Sequence, residues 1–332
     1  MKKYFIGVDV SKLKLDVCLY HDGKVLEEQI ISNHTEAIKR CLKDWMKHLD
    51  IEGLLVCGEY TGQYTYPLSC GCTALGVPLW LEDPAQIKYR SGIQRGKNDK
   101  LDARKIAMYA SRFQDQACLY SLPEKSIGSL KQLVSERDMY VCDKGKYKGQ
   151  LTDQQDYMAE ADYTKKSRRL KKLINNLDLA IEQIEEEIQT LLGRDETLSR
   201  QHELLCSIKG VGKRTALKMI LETNAFRDFK DPRKFCCHAG VAPFSYTSGS
   251  SQRSRNKVSH RADKGIKTLL HMSALAASKT KGELHDYYIR KVAEGKNKMS
   301  VLNAVRAKLV YRMFDVIRND KFYEQNYCNP LA

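Results

Sequence analysis

Four carboxylates stand where strands end and a helix begins. Asp9 lies in the run Ile6-Gly7-Val8-Asp9-Val10, Glu59 follows Cys57-Gly58, and Asp99 and Asp102 are three residues apart. Brought together, such groups repel and raise one another's pKa values. A divalent cation removes that cost, and hard oxygen donors suit Mg2+ or Mn2+. Two such ions about 3.5–4 Å apart clamp the attacking and leaving oxygens of a phosphoryl transfer. Each acid alone has a plainer reading: Asp99 and Asp102 as helix N-terminal acids favoured by the macrodipole, Glu59 as a surface glutamate. Together, in this arrangement, they point to metal-assisted chemistry on a phosphate ester.

Two further stretches suit phosphate. Leu205 to Ala216 contains Lys209-Gly210-Val211-Gly212-Lys213-Arg214, resembling a helix-hairpin-helix motif. Its glycines permit a tight turn and close approach to a phosphate, and the second helix offers unpaired N–H groups at its positive end. Such a module holds the backbone without reading bases. A Walker A loop is excluded, because Ser207 stands where it needs glycine and Arg214 where it needs Ser or Thr. The second stretch, Ala239 to Lys257, carries five serines with Arg253, Arg255 and Lys257. It reads as a phosphate-gripping loop, as the carrier of a nucleophilic serine, or as a linker. Spacing alone does not single out one serine.

The elements that must position these groups follow from patterning. Tyr4–Val10, Leu15–Tyr20 and Lys24–Ile31 read as three strands, Asn33 as the cap of a helix with Ile38, Cys41, Leu42, Trp45, Met46 and Leu49 at a 3.6 period, and Leu54–Cys57 and Val77–Leu81 as two buried strands. Asp99–Arg112 reads as a helix. That order is RNase H-like, an α/β fold whose first and fourth strands are neighbours, which would set Asp9 beside Glu59 under the Asp99/Asp102 helix. Sugar kinases and actin-like ATPases also begin with an acidic first strand, but Val10-Ser11-Lys12 lacks their phosphate-loop glycine. From Leu170 through Ile174, Leu177, Ile181, Ile184 and Ile188 to Leu191, apolar residues step by 4 and 3, an a/d seam of a coiled coil. The seam needs a partner, either a second chain or the preceding helix near Leu130–Tyr140, and we lean to self-association. Beyond residue 200 the chain reads as mainly helical, with amphipathic helices at Lys264–Ala277 and Met299–Ile317.

Composition narrows the partners. The chain has 332 residues with formal net charge +15, enough length for more than one domain. Residues 1–205 hold 31 basic and 31 acidic side chains, whereas 206–332 hold 25 and 10, so the whole excess is segregated. Segregated positive charge argues for a polyanionic partner, since neutralised phosphates release counterions. No apolar run approaches the roughly 20 residues of a membrane span, and Asp9 interrupts the N-terminal apolar stretch. A membrane or secreted location is therefore not expected. The 11 cysteines form no CxxC pair, so they read as buried cytosolic thiols rather than a zinc or disulfide framework.

Gly7-Val8-Asp9-Val10-Ser11-Lys12, Gly58-Glu59-Tyr60-Thr61-Gly62, Asn98-Asp99-Lys100-Leu101-Asp102-Ala103, and Ala239-Gly240-Val241-Ala242-Pro243 with Ser248-Gly249 together resemble the DEDD transposases of the IS one-ten family, relatives of the Piv-type DNA invertases. Tyr60 stands where relatives often have a smaller residue. The resemblance covers nearly the whole chain. It implies a RuvC-like catalytic domain over 1–123, a coiled-coil linker for oligomerisation over 124–200, and a basic transposase domain with the helix-hairpin-helix and serine loop over 201–332. It maps the metal-binding tetrad onto Asp9, Glu59, Asp99 and Asp102, and the nucleophile onto Ser248. It further implies a composite site between subunits of a dimer or tetramer, a covalent phosphoserine intermediate, Mg2+, and a bridge RNA that pairs with donor and target DNA. A bacterial cytoplasmic, nucleoid-associated enzyme is the expectation. The rivals are a RuvC-like junction nuclease using water and a non-catalytic nucleic-acid-binding scaffold.

Overall fold

Apolar residues fill both faces of the first strands, which forces cover on each side of the sheet they form. The computed structural model describes residues 2–90, 99–248, 252–258 and 262–324, with side chains at 99–100, 245–248 and 252–257 outside that description. It divides into two units, Met1–Pro123 and Glu124–Ala332.

In the first unit β1 (Tyr4–Val10), β2 (Lys14–His21) and β3 (Lys24–Ser32) form an antiparallel meander. Then follow α1 (Thr35–Met46), β4 (Leu54–Glu59), α2 (Tyr66–Ala74), β5 (Leu79–Glu82), α3 (Pro84–Arg90) and α4 (Asp99–Arg112). The sheet order is β3-β2-β1-β4-β5, with β4 parallel to β1 and β5 parallel to β4. Val8, Val10, Leu15, Val17 and Val56 pack on one face with Ile38, Leu42 and Trp45 of α1. Phe5, Cys18, Leu55, Cys57 and Trp80 pack on the other with Ala103, Ile106 and Ala107 of α4. Asn33 does not cap α1, whose N-cap is His34. The Asn33 side-chain amide instead donates to the carbonyls of Ser11 and Tyr64, 2.9 Å each, binding two loops together from a buried position.

Close contact between α4 and β1 depends on Gly7. A Cβ built there would lie 2.1 Å from the Ala103 carbonyl oxygen and 2.3 Å from the Ala107 nitrogen. Helix backbone therefore rests on strand backbone, with only small Ala103 and Ala107 beside it. Two polar ties flank the contact: Arg104 of α4 pairs with Glu28 of β3, and the Tyr109 hydroxyl donates to Glu82 of β5 at 3.0 Å.

The second unit opens with a helical hairpin, α5 (Lys125–Asp153) and α6 (Glu160–Arg194). The apolar seam is where expected on α6, with Ile174, Ile184 and Ile188 buried and Leu170, Leu177, Ile181 and Leu191 half-buried. Its partner is α5 of the same chain, so the seam does not need a second copy to be covered. Buried Arg137 of α5 pairs with Glu185 of α6, and Lys144 with Asp178 further out, which pins the register. At its base the hairpin shares one core with the helices that follow: α7 (Glu196–Cys206), α8 (Lys213–Glu222), α9 (Pro232–His238), α10 (Lys264–Lys279), α11 (Glu283–Ala293) and α12 (Lys298–Asn319). Between α9 and α10 the polar stretch forms an antiparallel pair, β6 (Pro243–Ser248) and β7 (Gln252–Val258), rather than a linker. No described helix is long and apolar enough to cross a membrane.

Gly7→Ala is expected to lift α4 from the sheet at a cost of about 3 kcal/mol or more, the upper end for overpacking. Differential scanning calorimetry should show a lowered unfolding transition, and an unchanged thermogram would refute the close-contact account.

Candidate active site and nucleic-acid interface

Strand pairing places the carboxylates of the first unit in one row. β1 and β4 run parallel with Val8 opposite Gly58, and Asp9 and Glu59 are the next residues of each strand. Asp9 is paired across to Asp16 of β2, and Glu59 to Glu82 of β5. Side chains alternate along a strand and paired residues share a face, so Asp9 takes the face of Phe5 and Gly7, beneath α4. Asp16, Asp9, Glu59 and Glu82 thus form a line across four adjacent strands on that face. Asp9 and Glu59 are half-buried, while Asp16 is only 2% exposed.

Cations and a phenol temper this concentration of charge. Lys14 Nζ lies 3.0 Å from Asp16, and Lys105 Nζ 2.6 Å from Asp102 one turn earlier on α4. The Tyr109 hydroxyl is pushed up to about 12 by burial and by its hydrogen bond to Glu82, so it stays a donor at neutral pH. Burial raises the Cys18 thiol to about 11, leaving an inert apolar neighbour in the same layer.

Asp9 and Glu59 are therefore neighbours on the sheet face under α4, and Asp102 lies on that helix, paired with Lys105. Asp99 is the first residue of α4, and its side chain lies outside the described residues. Among the described residues no three His, Cys, Asp or Glu side chains are grouped closely enough to hold a metal ion. Asp16 and Glu82 escaped the sequence reading. The signal for Asp16 was available: a lone acid inside the otherwise apolar run Leu15-Asp16-Val17-Cys18-Leu19.

The second unit presents the predicted glycine turn. α7 and α8 meet at Gly210, whose φ of +93° and whose contact with α10 (a Cβ would meet the Ser273 carbonyl oxygen and Ala277 Cβ at 2.8 Å) both require glycine. Gly212 is the N-cap of α8 and supplies no side chain to its free N–H groups. Lys213 opens that helix. Arg214 leans instead toward Glu185 of the hairpin at 3.6 Å, and Lys209 approaches the Lys281 carbonyl at 3.4 Å.

Ser248 ends β6. Its side chain, like those of Arg253, Arg255 and Lys257 on β7, lies outside the described residues, as do Ser250 and Ser251 entirely. The root of this strand pair is well tied. The Asp263 N–H donates to the His238 carbonyl at 3.2 Å, the N–H groups of Val241 and Ala242 donate to the Cys236 carbonyl, and Asn303 Nδ2 donates to the Val241 carbonyl at 2.7 Å. Nearby, Glu222 accepts from Lys218 at 2.7 Å and contacts His238 Nε2 at 3.5 Å. Burial alone would raise that carboxyl, but hydrogen bonds from His238 and Lys218 prevail and hold it at about 2.

Charge is also segregated along α6. Lys165, Lys166, Arg168, Arg169, Lys171 and Lys172 crowd its N-terminal half, while Asp178, Glu182, Glu185, Glu186 and Glu187 follow toward its C-terminus. The end turns themselves follow the macrodipole, with Glu160 and Asp162 in the first and Arg194 in the last, so the cation block beyond the first turn is not set by the helix end. The zero net charge of residues 1–205 conceals a basic outer end on the hairpin.

Two family models match in chain order. A DEDD transposase model of the IS110 type, described as Transposase, matches residues 6–158, and one described as Transposase IS116/IS110/IS902 family matches residues 202–289. Together they span well over half of the chain. Similar curated proteins include the pilin gene-inverting protein of Moraxella lacunata, 22% identical over 328 residues, with 98% of this chain and 99% of that protein covered. The transposase for insertion sequence element IS1111A of Coxiella burnetii is 24% identical over 298 residues, covering 82% of this chain and 77% of that protein.

Because folding lowers the Glu222 pKa from its ordinary 4.5, its contribution to stability is complete above pH ~4.5 and is lost as the pH falls from there toward about 2. Urea unfolding across that window should show a shallower acid decline for Glu222→Gln than for wild type, with the variant less stable at pH 7. Parallel pH profiles would refute the assignment.

Proposed function

Since the chain belongs to the IS110 family of insertion-sequence transposases, we propose that it breaks and rejoins DNA strands through a phosphoserine intermediate, with Ser248 as nucleophile and Asp9, Glu59, Asp99 and Asp102 as an acidic tetrad for Mg2+ or Mn2+. The observation that supports the reading is the pairing of β1 with β4 beneath α4, which sets Asp9 beside Glu59 on the sheet face covered by the helix that bears Asp99 and Asp102. The donors fit the ion, being carboxylate oxygens throughout, and Lys105 offsets part of the charge of Asp102. A bound divalent ion supplies Lewis acidity toward a phosphate oxygen.

The remaining work falls to the chain's own residues. The Ser248 hydroxyl gives up its proton as its oxygen bonds to phosphorus. The DNA oxygen that leaves takes the electron pair and a proton. One phosphoester bond is exchanged for another, so attack by a DNA hydroxyl on the phosphoserine restores a continuous strand and frees the serine. Lys209, Gly210, Gly212, Lys213 and Arg214, with Arg253, Arg255 and Lys257, would hold nucleic-acid backbone. The segregated charge of residues 206–332 supports donor DNA, target DNA and a guide RNA as partners. The proposal extends to assembly as a dimer or tetramer in which acidic site and serine come from different copies.

The test is covalent trapping. Protein, element-end RNA, labelled donor and target DNA and Mg2+ are mixed, quenched in denaturant and resolved on a gel. A protein–DNA adduct is expected from wild type and should vanish in Ser248→Ala and in Asp102→Asn. Cleaved DNA without adduct, unaffected by Ser248→Ala, would instead identify a nuclease that uses water.

A further inference from the structure

Arg306 of α12 is a buried cation without an anion. Its side chain belongs to a residue 7% exposed, yet no Asp or Glu among the described residues lies within ion-pair distance of it. Its Nη2 donates to His271 Nδ1 at 2.7 Å and its Nη1 reaches Asn303 Oδ1 at 3.4 Å. Its Nε–H has no hydrogen-bond partner among the described residues. Both partners it does have are neutral groups. His271 is held below its ordinary pKa by burial and by Arg306 itself, in keeping with an unprotonated acceptor nitrogen. Taking a guanidinium out of water without a counter-charge is costly, so an external anion that reached it would relieve that cost.

The surrounding chain contains almost nothing that could neutralise it. From residue 232 to residue 282 the only acid is Asp263, against ten Lys and Arg. Asp263 is already engaged as the N-cap of α10, accepting from the Ile266 N–H at 2.7 Å. On α12 itself the only acid is Asp315, more than two turns away. The stretch from Ala239 to Lys257 has no Asp or Glu, so no side chain there supplies the missing charge. None of the described residues of this unit supplies a counter-anion.

Position suggests what it is. Asn303, which touches Arg306, also holds the Val241 carbonyl at the root of the β6–β7 pair that carries Ser248. We propose that Arg306 is a phosphate-binding residue, its guanidinium receiving a backbone phosphodiester of the DNA strand led to that root. The fork of a guanidinium matches two phosphate oxygens, and the unpartnered Nε–H supplies one of the two donors. His271 and Asn303 orient the group before the strand arrives. This rests on the reading of the chain as an enzyme acting on DNA strands.

The experiment compares wild type, Arg306→Met and Arg306→Lys by two independent readouts. The first is anisotropy of a short fluorescein-labelled DNA duplex over a salt series. Arg306→Met should bind about five- to tenfold more weakly, with a log–log salt slope shallower by about one, and Arg306→Lys should fall between. The second is thermal unfolding without DNA, in the absence and presence of inorganic phosphate. Arg306→Met should melt no lower than wild type, because an unpaired buried charge has been replaced by an apolar chain of similar length, and phosphate should raise the midpoint of wild type only. A lower midpoint for Arg306→Met with unchanged DNA affinity and slope would overturn the proposal and make Arg306 structural. Loss of self-association in that variant by light scattering, again with unchanged DNA binding, would overturn it in favour of a carboxylate from a second copy. If wild type binds no DNA, the reading of the chain as a DNA enzyme fails, and the phosphate arm alone then decides whether Arg306 holds an anion.

Discussion

Helix α4 lies on β1 with no side chain between their backbones, and the geometry of the acidic site descends from that contact. A glycine at position 7 permits it, and alanines at 103 and 107 keep it narrow. An ordinary helix-on-sheet packing separates the two layers by the thickness of apolar side chains. Here the layers meet directly at Gly7, Ala103 and Ala107. The Arg104–Glu28 and Tyr109–Glu82 ties, reaching opposite edges of the sheet, limit rotation and sliding of the helix about the contact.

Charge is handled differently in the two units. In the first, carboxylates are concentrated on one face, and Lys14, Arg104 and Lys105 pair with Asp16, Glu28 and Asp102. In the second, cations are in excess, and several of the acids are committed to internal contacts: Glu222 to Lys218 and His238, Asp263 to the start of α10, Glu185 to Arg137. The first unit thus carries a local acidic row, while the second holds most of the chain's excess positive charge.

Much of this was legible in the sequence because the informative residues were those that obey simple periodicities. β1 and α4 begin and end where alternation and a 3.6 period place them, and the neighbouring of Asp9 and Glu59 followed from strand order. The glycine turn at 210 was visible because few residues other than glycine tolerate its backbone. What was not legible was decided by tertiary contact. Asn33 has the chemistry of a cap, but two loop carbonyls compete for its amide. The α6 seam has the period of a coiled coil and is silent about whether its mate is another chain or α5. Asp16 and Glu82 join the acidic row only through cross-strand register, which no single strand encodes. The β6–β7 pair was hidden because polar residues fill its strands, leaving no apolar alternation to detect.

Strand order has a consequence for the order of synthesis. β1, β2 and β3 are consecutive and can pair as they leave the ribosome, but β4 must reach back to the far edge of β1 across the intervening meander and α1. Such non-local pairing is slow compared with hairpin closure. Asp9 is therefore among the first residues made, yet its surroundings are complete only after Arg112 has emerged and α4 has settled over Gly7. A ribosome-bound fragment that stops short of α4 holds a sheet with one face bare. The acidic row across β2, β1, β4 and β5 therefore stays uncovered until the whole first unit exists.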